Sequence, residues 1–344
     1  MRRLVEGIAA PIEAVGLFTL LESLERDTGR LRVLTYHRVA ETDEEPDLEP
    51  GLISATPAGF RAEMQLLAQR YSPVSLEDVL AAHRGSRPLP KRAVLVTFDD
   101  GYRDFATNAW PVMKELGIPV VLFVPTAYPS GERPGFWWDR LHAAITRTTR
   151  DVLVAPGLGE FSLATPELRR AAYKRLRNHV KSLPHTRAMT WVEDQVASLA
   201  ELPDLNRVLS WDELRALAAE GVSLCSHSRD HALLTRLDPR TLMEDLRESQ
   251  SRLNDELGAH TAPATLAYPA NAANGAVRQA ARDAGYVLCF GGARGLNRVP
   301  LADTHELKRL PVLRYGMGLY RAQLRPSLSL AGGALSTIRG RLRA

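Results

Sequence analysis

The sequence predicts an α/β protein with a mostly parallel β-sheet, and three observations support this. Short apolar runs alternate with segments of helical periodicity along most of the 344 residues. The run at 93–98 is apolar almost throughout, which is typical of a strand buried on both faces. Polar clusters follow several of these runs, as expected at the carboxyl ends of parallel strands. The alternation is compatible with an open sheet or a closed barrel.

The chain before residue 129 predicts three strands and three helices. Ser75 and Asp78 form a pattern similar to a capping box, in which aspartate replaces the usual glutamate. Gly117 ends the third helix, because glycine readily adopts the left-handed conformation. In order, the predicted elements are a strand at 31–37, helices at 56–70 and 75–83, a strand at 93–98, a helix ending at 115 and a strand at 119–124.

Residues 129–209 interrupt this alternation. After the aromatic run at 136–138 they contain no convincing strand pattern. Thr165 and Pro166 begin a strongly basic helix, since proline is favoured in the first turn, and a second helix is predicted at 187–202. We therefore expect a helical insertion between two strands.

The alternation resumes at Ser210, which forms a capping box with Glu213. A long helix begins at Asp238, carries leucines along one face and is closed by Gly258. The predicted strands and helices are a helix ending before 221, a strand at 222–225, the long helix, a strand at 264–268, a helix at 275–284 and strands at 286–290 and 307–313.

The two ends of the chain differ from residues 31–325, which we interpret as one domain. Residues 1–30 predict an amphipathic helix that either packs on this domain or lies on a membrane surface. Residues 326–344 form a basic tail. The net charge of +4 indicates either a solvated surface or attraction to an anionic partner, and no recognised motif indicates nucleic-acid binding.

Cysteine content and the N-terminal sequence bear on the cellular compartment. Only Cys225 and Cys289 are present, which excludes a disulfide framework and predicts buried free thiols. Four glutamates interrupt the first 25 residues, so the segment resembles neither a complete secretion signal nor a membrane span. We expect a cytoplasmic protein, with peripheral contact at the inner membrane as a further expectation, and leave the oligomeric state open.

Two neighbouring carboxylates, Asp99 and Asp100, follow the apolar strand at 93–98. Adjacent side chains on a strand point to opposite faces, so these acids can share a site only where the chain turns. Gly101 permits that turn. Two close carboxylates ionise together readily when a cation lies beside them. The pattern indicates a metal site, and a solvated turn is the alternative.

Two histidines, His227 and His231, follow another apolar run. Their spacing would place them on one side of a helical turn, and neutral imidazoles so spaced are frequent metal ligands. Three protein ligands leave a coordination position open for water. Together with the aspartates, the histidines indicate metal-assisted hydrolysis.

These motifs resemble those of the polysaccharide deacetylases of carbohydrate esterase family 4, the NodB-homology group. Residues 97–102 (TFDDGY) match the first signature of the family, and residues 227–231 (HSRDH) match the second. Residues 267–269 (AYP) resemble the third, and residues 35–39 (TYHRV) resemble the opening strand of members that act on exported or lipid-linked polysaccharides. The resemblance implies an incomplete (β/α)7 barrel of the NodB type, with the helical insertion at about 129–209.

The resemblance also implies roles for individual residues. Asp99 would be the general base. The metal would be zinc or another divalent ion such as Co2+, Ni2+ or Mn2+, held by Asp100, His227 and His231. The third motif would border the oxyanion and the substrate through Tyr268, Pro269 and Ala270, with the amide N–H of Ala270 as a donor.

The sequence departs from the family pattern at two catalytic positions. The third motif lacks the arginine that orients the base, and Arg309 is the candidate to replace it from a later strand; the alternative is a surface or ion-paired arginine. The histidine signature of the general acid is not evident either. His37 is the first candidate for the acid or for a substrate contact, and His305 is the second. Tyr36 is a further candidate substrate contact.

We predict a metal-dependent hydrolase that removes N-acetyl groups from an amino sugar in a polysaccharide, an oligosaccharide or a lipid-linked precursor. The partner would be an N-acetylated carbohydrate. Trp137 and Trp138 would either stack on sugar rings or anchor the insertion. Two other functions stay open: an amidase or deformylase acting on a smaller non-peptide amide, and a catalytically silent carbohydrate-binding module.

Overall fold

The computed structural model describes residues 28–314 and 316–325, and a ring of parallel strands forms their centre. Each strand of the ring pairs with the next in the sequence, and the last pairs with the first. The seven strands are β1 (Arg30–Tyr36), β2 (Ala93–Phe98), β3 (Val120–Val124), β4 (Ser223–Ser226), β5 (Thr265–Ala267), β6 (Leu288–Arg294) and β7 (Leu307–Pro311). The predicted seven-stranded α/β barrel is confirmed.

Alternation along β2 explains why the whole strand is apolar. Val96 and Phe98 belong to the layer between the barrel and the outer helices, whereas Leu95 packs with Phe123 and Phe290 in a separate cluster. All six residues of β2 are buried. The strand therefore contributes to two cores, as expected of a strand in a barrel covered by helices.

Helices surround the barrel at the predicted places, with ends that differ by a few residues. The capping boxes of Ser75 with Asp78 and of Ser210 with Glu213 are both present. The α-helices of the described residues are α1 (Pro57–Arg70), α2 (Leu76–His83), α3 (Trp110–Glu115), α4 (Trp137–Arg147), α5 (Pro166–Ser182), α6 (His185–Leu199), α7 (Trp211–Ala219), α8 (Pro239–Leu257), α9 (Gly275–Asp283) and α10 (Met317–Gln323).

Four very short strands of the described chain lie outside the seven-stranded barrel. They make local pairs that the sequence patterns did not predict, because each has only two or three residues. They are Arg38–Val39 with Ile53–Ala55, Ser72–Pro73 beside β2, and Asn297–Arg298 antiparallel to β1.

The segment between β3 and α7 contains α4, α5 and α6, which share a hydrophobic core of their own. The expectation that this segment contains no strands is wrong. Residues Val152–Ala155 and Gly159–Ser162 pair as an antiparallel hairpin. Leu153 and Phe161 are buried on its inner face, while Val154 on the outer face is exposed. The alternation spans only four residues in each strand, which is too short to stand out in the sequence.

Several predictions concern the chain ends and the thiols. The predicted N-terminal helix up to residue 27 and the basic tail at 326–344 lie outside the described residues. Among the helices that the structure describes, none has both the length and the apolar character needed to cross a membrane. Cys225 and Cys289 are buried and free, as predicted.

Candidate active site and metal centre

Asp99 and Asp100 lie at the carboxyl end of β2, at the mouth of the barrel. The Asp99 amide N–H donates to the Tyr36 carbonyl at 2.9 Å, so this residue still pairs with β1. Asp100 and Gly101 then turn the chain, with φ angles of 74° and 69°. Both carboxylates are buried, and the turn brings them to one site, as the sequence analysis requires.

His227 and His231 lie in the loop after β4, and their rings are 4.7 Å apart between centroids. The predicted helical turn is wrong. The loop contains no helix, and Ser228 and His231 have φ angles of 65° and 52°. Two residues in the left-handed conformation reverse the chain and bring the imidazoles together. A helical turn would have brought them together as well.

One oxygen of Asp100 lies close to both imidazoles. Asp100 Oδ1 is 3.5 Å from His227 Nε2 and 3.2 Å from His231 Nε2. One ligand atom from each of the three residues lies within 4.8 Å of the others. This spacing and the Asp/His/His donor set suit a single divalent ion.

The hydrogen bonds of this triad also fit a metal site. His227 Nδ1 is 2.7 Å from the Ala267 carbonyl, so this nitrogen carries the proton and Nε2 keeps its lone pair. Asp100 Oδ1 is buried and has no hydrogen-bond partner. Burying a carboxylate oxygen without a hydrogen-bond partner or a compensating charge is unfavourable for folding. A cation between Asp100 and the histidines would satisfy it.

Asp245 supports the histidine loop from α8, and the sequence analysis did not identify it. Its carboxylate accepts the amide N–H of Arg229 at 3.0 Å and that of Asp230 at 3.3 Å. Burial raises the pKa of Asp245 to about 6, against the opposing effect of these hydrogen bonds. The sequence feature that could have identified Asp245 is an aspartate on the buried face of an amphipathic helix, next to Leu246.

Arg309 reaches the base candidate from β7. Its Nη1 donates to Asp99 Oδ1 at 2.8 Å, and its Nε and Nη2 donate to Asn271 Oδ1. Burial alone would raise the pKa of Asp99, but the charges of Arg309 and the nearby histidines lower it overall. Arg309 therefore contacts Asp99, as a replacement for the missing arginine would have to, and Asn271 is a partner that the sequence analysis missed.

His37 lies near the carboxylate oxygen of Asp99 that Arg309 does not bind, and it lines the cavity. Its Nε2 is 4.0 Å from Asp99 Oδ2, and 29% of its side chain is exposed. The imidazole is thus near the carboxylate and open to a bound molecule.

Three predicted residues point away from the cavity, which corrects their proposed roles. The Tyr36 hydroxyl is buried and donates to Glu63 Oε2 at 2.9 Å, on the helix side of β1. The Tyr268 hydroxyl donates to the His305 carbonyl at 3.1 Å. His305 Nε2 is 2.9 Å from the Tyr286 carbonyl. These polar atoms form hydrogen bonds within the protein, and none of the three residues lines the cavity.

The rest of the third motif turns sharply at the cavity. Pro269 is buried, and Ala270 lines the cavity with a φ of 54°. Six non-glycine residues of the described chain have positive φ, and five lie in the site loops: Asp100, Ser228, His231, Ala270 and Asn271. Strained backbone of this kind concentrates at functional sites.

Trp137 and Trp138 both line the cavity. The Trp138 ring packs edge-on against His231, with 4.8 Å between centroids. Its Nε1 donates to the Tyr102 hydroxyl at 3.0 Å, and Tyr102 donates to Asp139 at 2.6 Å. Trp138 therefore joins the insertion to a metal-ligand candidate, while Trp137 is available to a bound molecule.

The triad opens into a cavity of about 170 Å3 between the barrel mouth and the insertion. The barrel contributes the four acid and histidine residues of the two main motifs, and α5 and α6 contribute residues such as Tyr173, Arg177 and Met189.

Comparison with known proteins identifies the family. Residues 86–289, more than half of the chain, match the polysaccharide deacetylase family. The chain belongs to this family. Its Asp-Asp and His-x-x-x-His motifs both fall within the matched residues.

The relatives in this family include poly-beta-1,6-N-acetyl-D-glucosamine N-deacetylases. Those of Escherichia coli K12 and O157:H7 are each 34% identical over 89 residues. That match covers 26% of this chain and only 13% of each relative.

Solved structures of other deacetylases share the fold. Streptococcus pyogenes deacetylase PplD in complex with acetate has a TM-score of 0.58 at 17% identity, covering 86% of this chain and 97% of that one. IcaB from Ammonifex degensii has a TM-score of 0.53 at 18% identity, covering 88% and 98%. The BpsB deacetylase domain from Bordetella bronchiseptica has a TM-score of 0.52 at 17% identity, covering 85% and 99%.

Proposed function

We propose that this protein is a metal-dependent hydrolase that removes N-acetyl groups from an amino sugar in a polysaccharide, an oligosaccharide or a lipid-linked precursor. The observation that carries the proposal is the convergence of Asp100, His227 and His231 beside a second carboxylate, Asp99. The names of the Escherichia coli relatives support N-acetylglucosamine as the acetylated sugar.

Asp100, His227 and His231 would hold the divalent ion, and zinc fits this donor set. When bound, such an ion acts as a Lewis acid on an amide carbonyl and lowers the pKa of water. The tautomer of His227 is fixed by the Ala267 carbonyl, which keeps Nε2 available as a ligand.

Asp99 serves as the general base in this proposal. It lies beside the triad, with Oδ2 3.8 Å from His227 Nε2, and takes the proton from the water that attacks the acetamide carbon. Arg309 keeps Asp99 ionised and in position through its bond to Oδ1, which leaves Oδ2 for the proton.

His37 and Ala270 complete the proposed machinery. His37 is the candidate acid that donates a proton to the amine as the carbon–nitrogen bond breaks, because its Nε2 reaches the cavity near Asp99. The amide N–H of Ala270 is the candidate donor to the oxyanion that forms at the acetamide oxygen. The products are acetate and a free amino sugar.

The direct test is acetate release from defined oligomers. We expect purified full chain loaded with Zn2+ or Co2+ to release acetate from oligomers of β-1,6-linked or β-1,4-linked N-acetylglucosamine. Mass spectrometry of the oligomers should show the loss of whole acetyl groups and no cleavage of the glycan. A chelated sample measured in parallel should be inactive.

Acetate release and substrate size separate the proposal from its alternatives. A silent carbohydrate-binding module would bind oligomers without releasing acetate, even with metal present. An amidase or deformylase for small amides would act on a formylated or acetylated monosaccharide but not on oligomers. Failure of metal-loaded protein to act on every oligomer would contradict the proposed substrate.

A further inference from the structure

The lining of the cavity includes three cations that form no ion pair among the described residues. Arg177 and Lys181 are four residues apart on α5 and so lie on the same side of that helix. Arg236 lies in a short 3-10 helix (Leu234–Arg236) after the histidine loop. We call these three residues the cationic wall.

Nearby acids balance only part of the charge of the cationic wall. Outside the metal centre, the described part of the cavity lining contains a single carboxylate, Glu49. One oxygen of Glu49 accepts the Gly51 N–H at 2.9 Å. Three cations facing one carboxylate leave a positive excess at this end of the cavity.

Arg177 makes this excess costly. Its guanidinium lies over the Tyr173 ring, 5.6 Å from the centroid, and its buried Nε has no hydrogen-bond partner. Partial burial and the charge of Arg177 lower the pKa of Lys181. A buried polar atom without a partner is unfavourable for folding, so the Nε of Arg177 carries this cost, whereas Lys181 and Arg236 are exposed.

Several other arginines of the same segment are paired. Arg140 binds Glu193, Arg147 binds Asp47, and Arg169 donates to carbonyl oxygens at the end of α4. Arg177 and Lys181, which line the cavity from α5, form no ion pair among the described residues. Apolar neighbours such as Val180, Leu183 and Met189 surround the cations and would strengthen their attraction for an anion.

We propose that the cationic wall binds an anionic group, a phosphate or a carboxylate, that is covalently attached to the acetylated sugar. A planar guanidinium beside an ammonium group suits either oxyanion. The inference rests on the proposed function, because it names a substrate class for the same cavity. The preferred substrate is then an acidic glycan or a sugar linked through phosphate, in contrast to a neutral polymer.

Three probes with the same acetylated sugar test this proposal. They are methyl N-acetylglucosaminide, N-acetylglucosamine 1-phosphate and a disaccharide of N-acetylglucosamine with glucuronic acid. With the metal-loaded full chain we expect kcat/KM for at least one anionic probe to exceed that for the neutral probe by about tenfold or more, as a charge-assisted hydrogen bond would give. The advantage should shrink at high salt. The probe that is favoured identifies phosphate or carboxylate as the source of the charge.

A pair of double variants controls for net charge. R177Q/K181Q removes two cations of the cationic wall, and R170Q/K174Q removes two exposed cations of α5 that do not line the cavity. We expect the ratio of anionic to neutral kcat/KM to fall towards one in R177Q/K181Q, mainly through KM. The ratio should be unchanged in R170Q/K174Q.

Two results would overturn the proposal: equal kcat/KM for all three probes, or the same change of ratio in both double variants. Loss of acetate release with every probe would count against the proposed function instead. In that case calorimetry with N-acetylglucosamine 1-phosphate still decides. Equal affinity in the unaltered chain and in R177Q/K181Q would show that the cationic wall does not bind the anion.

Discussion

Arg309 Nη1 lies 2.8 Å from Asp99 Oδ1, although the two residues are 210 positions apart in the sequence. Their strands, β7 and β2, both pair with β1, so the two side chains meet at the barrel mouth. Both side chains are 3% exposed, and Arg309 also holds Asn271. This contact orients the proposed base and neutralises its charge in a buried site.

The first prediction concerns Arg309→Met. Loss of the hydrogen bond should displace Asp99 and leave its charge unpaired, so kcat should fall by about 100-fold, the effect of a misplaced catalytic group. KM and metal content should change little, because Arg309 touches no metal-ligand candidate.

Arg309→Lys is the matched variant, since it keeps the charge but lacks the planar fork. Its kcat should lie between those of the unaltered chain and Arg309→Met. Full activity in Arg309→Met would show that Asp99 does not depend on this contact.

The second prediction separates the two neighbouring aspartates. Asp99→Asn should lower kcat by about 10²- to 10⁴-fold, the usual contribution of a general base, while the protein still binds one equivalent of metal. Asp100→Asn should instead lower metal affinity, since it removes a ligand from the triad. Metal titration followed by activity measurement checks both results. If Asp99→Asn lost the metal and Asp100→Asn kept it, the roles would be reversed.

The third prediction concerns the pH dependence of stability. Burial raises the pKa of Glu63 from 4.5 to about 8, outweighing its hydrogen bond from Tyr36. Between these values the folded state holds a proton that the unfolded state has lost, so Glu63 makes unfolding easier as pH rises from 4.5 to 8. Glu63→Gln should therefore raise the free energy of unfolding at pH 8 by up to a few kcal/mol more than at pH 5.

Urea unfolding at the two pH values measures this difference. Glu115→Gln is the control, because Glu115 is 57% exposed and pairs with Arg61 at the surface. Its effect should be small and similar at both pH values. An equal effect of Glu63→Gln at pH 5 and pH 8 would mean that Glu63 titrates normally in the folded protein.

The fourth prediction concerns Gly135, which precedes the tryptophan pair. Its φ is 104°, and a Cβ there would lie 2.7 Å from the Leu205 backbone. Gly135→Ala should therefore combine strain with a backbone clash and cost at least about 2 kcal/mol of stability. It should also lower activity, because Trp138 packs on His231.

Gly131→Ala is the control for backbone strain alone. Gly131 also has a positive φ, 74°, but a Cβ there would meet nothing within 4 Å. It should cost only about 1 kcal/mol. Thermal unfolding and acetate release compare the two variants, and equal costs would show that the contact with Leu205 relaxes freely.

Much of the site could be predicted because its residues follow buried strands. The Asp-Asp-Gly turn after β2 and the histidines after β4 stand where parallel strands end, and their chemistry is specific. His227 and His231 lie together as predicted, although the predicted helical turn is absent. A loop that reverses at left-handed residues also brings side chains four positions apart close to each other. The sequence could not show which way the side chains of Tyr36 and Tyr268 point. A shift of one residue in strand register decides whether a side chain faces the cavity or the helices.

The sequence by itself determined the alternation of strands and helices, the caps, and the acid and histidine motifs, because these depend on local spacing and on neighbouring residues. Only the tertiary structure decided that Arg309 meets Asp99, that Asp245 holds the histidine loop, and that α5 turns cations into the cavity. Those contacts join residues that are distant along the chain. They depend on barrel closure and on the packing of the insertion, which local patterns do not specify.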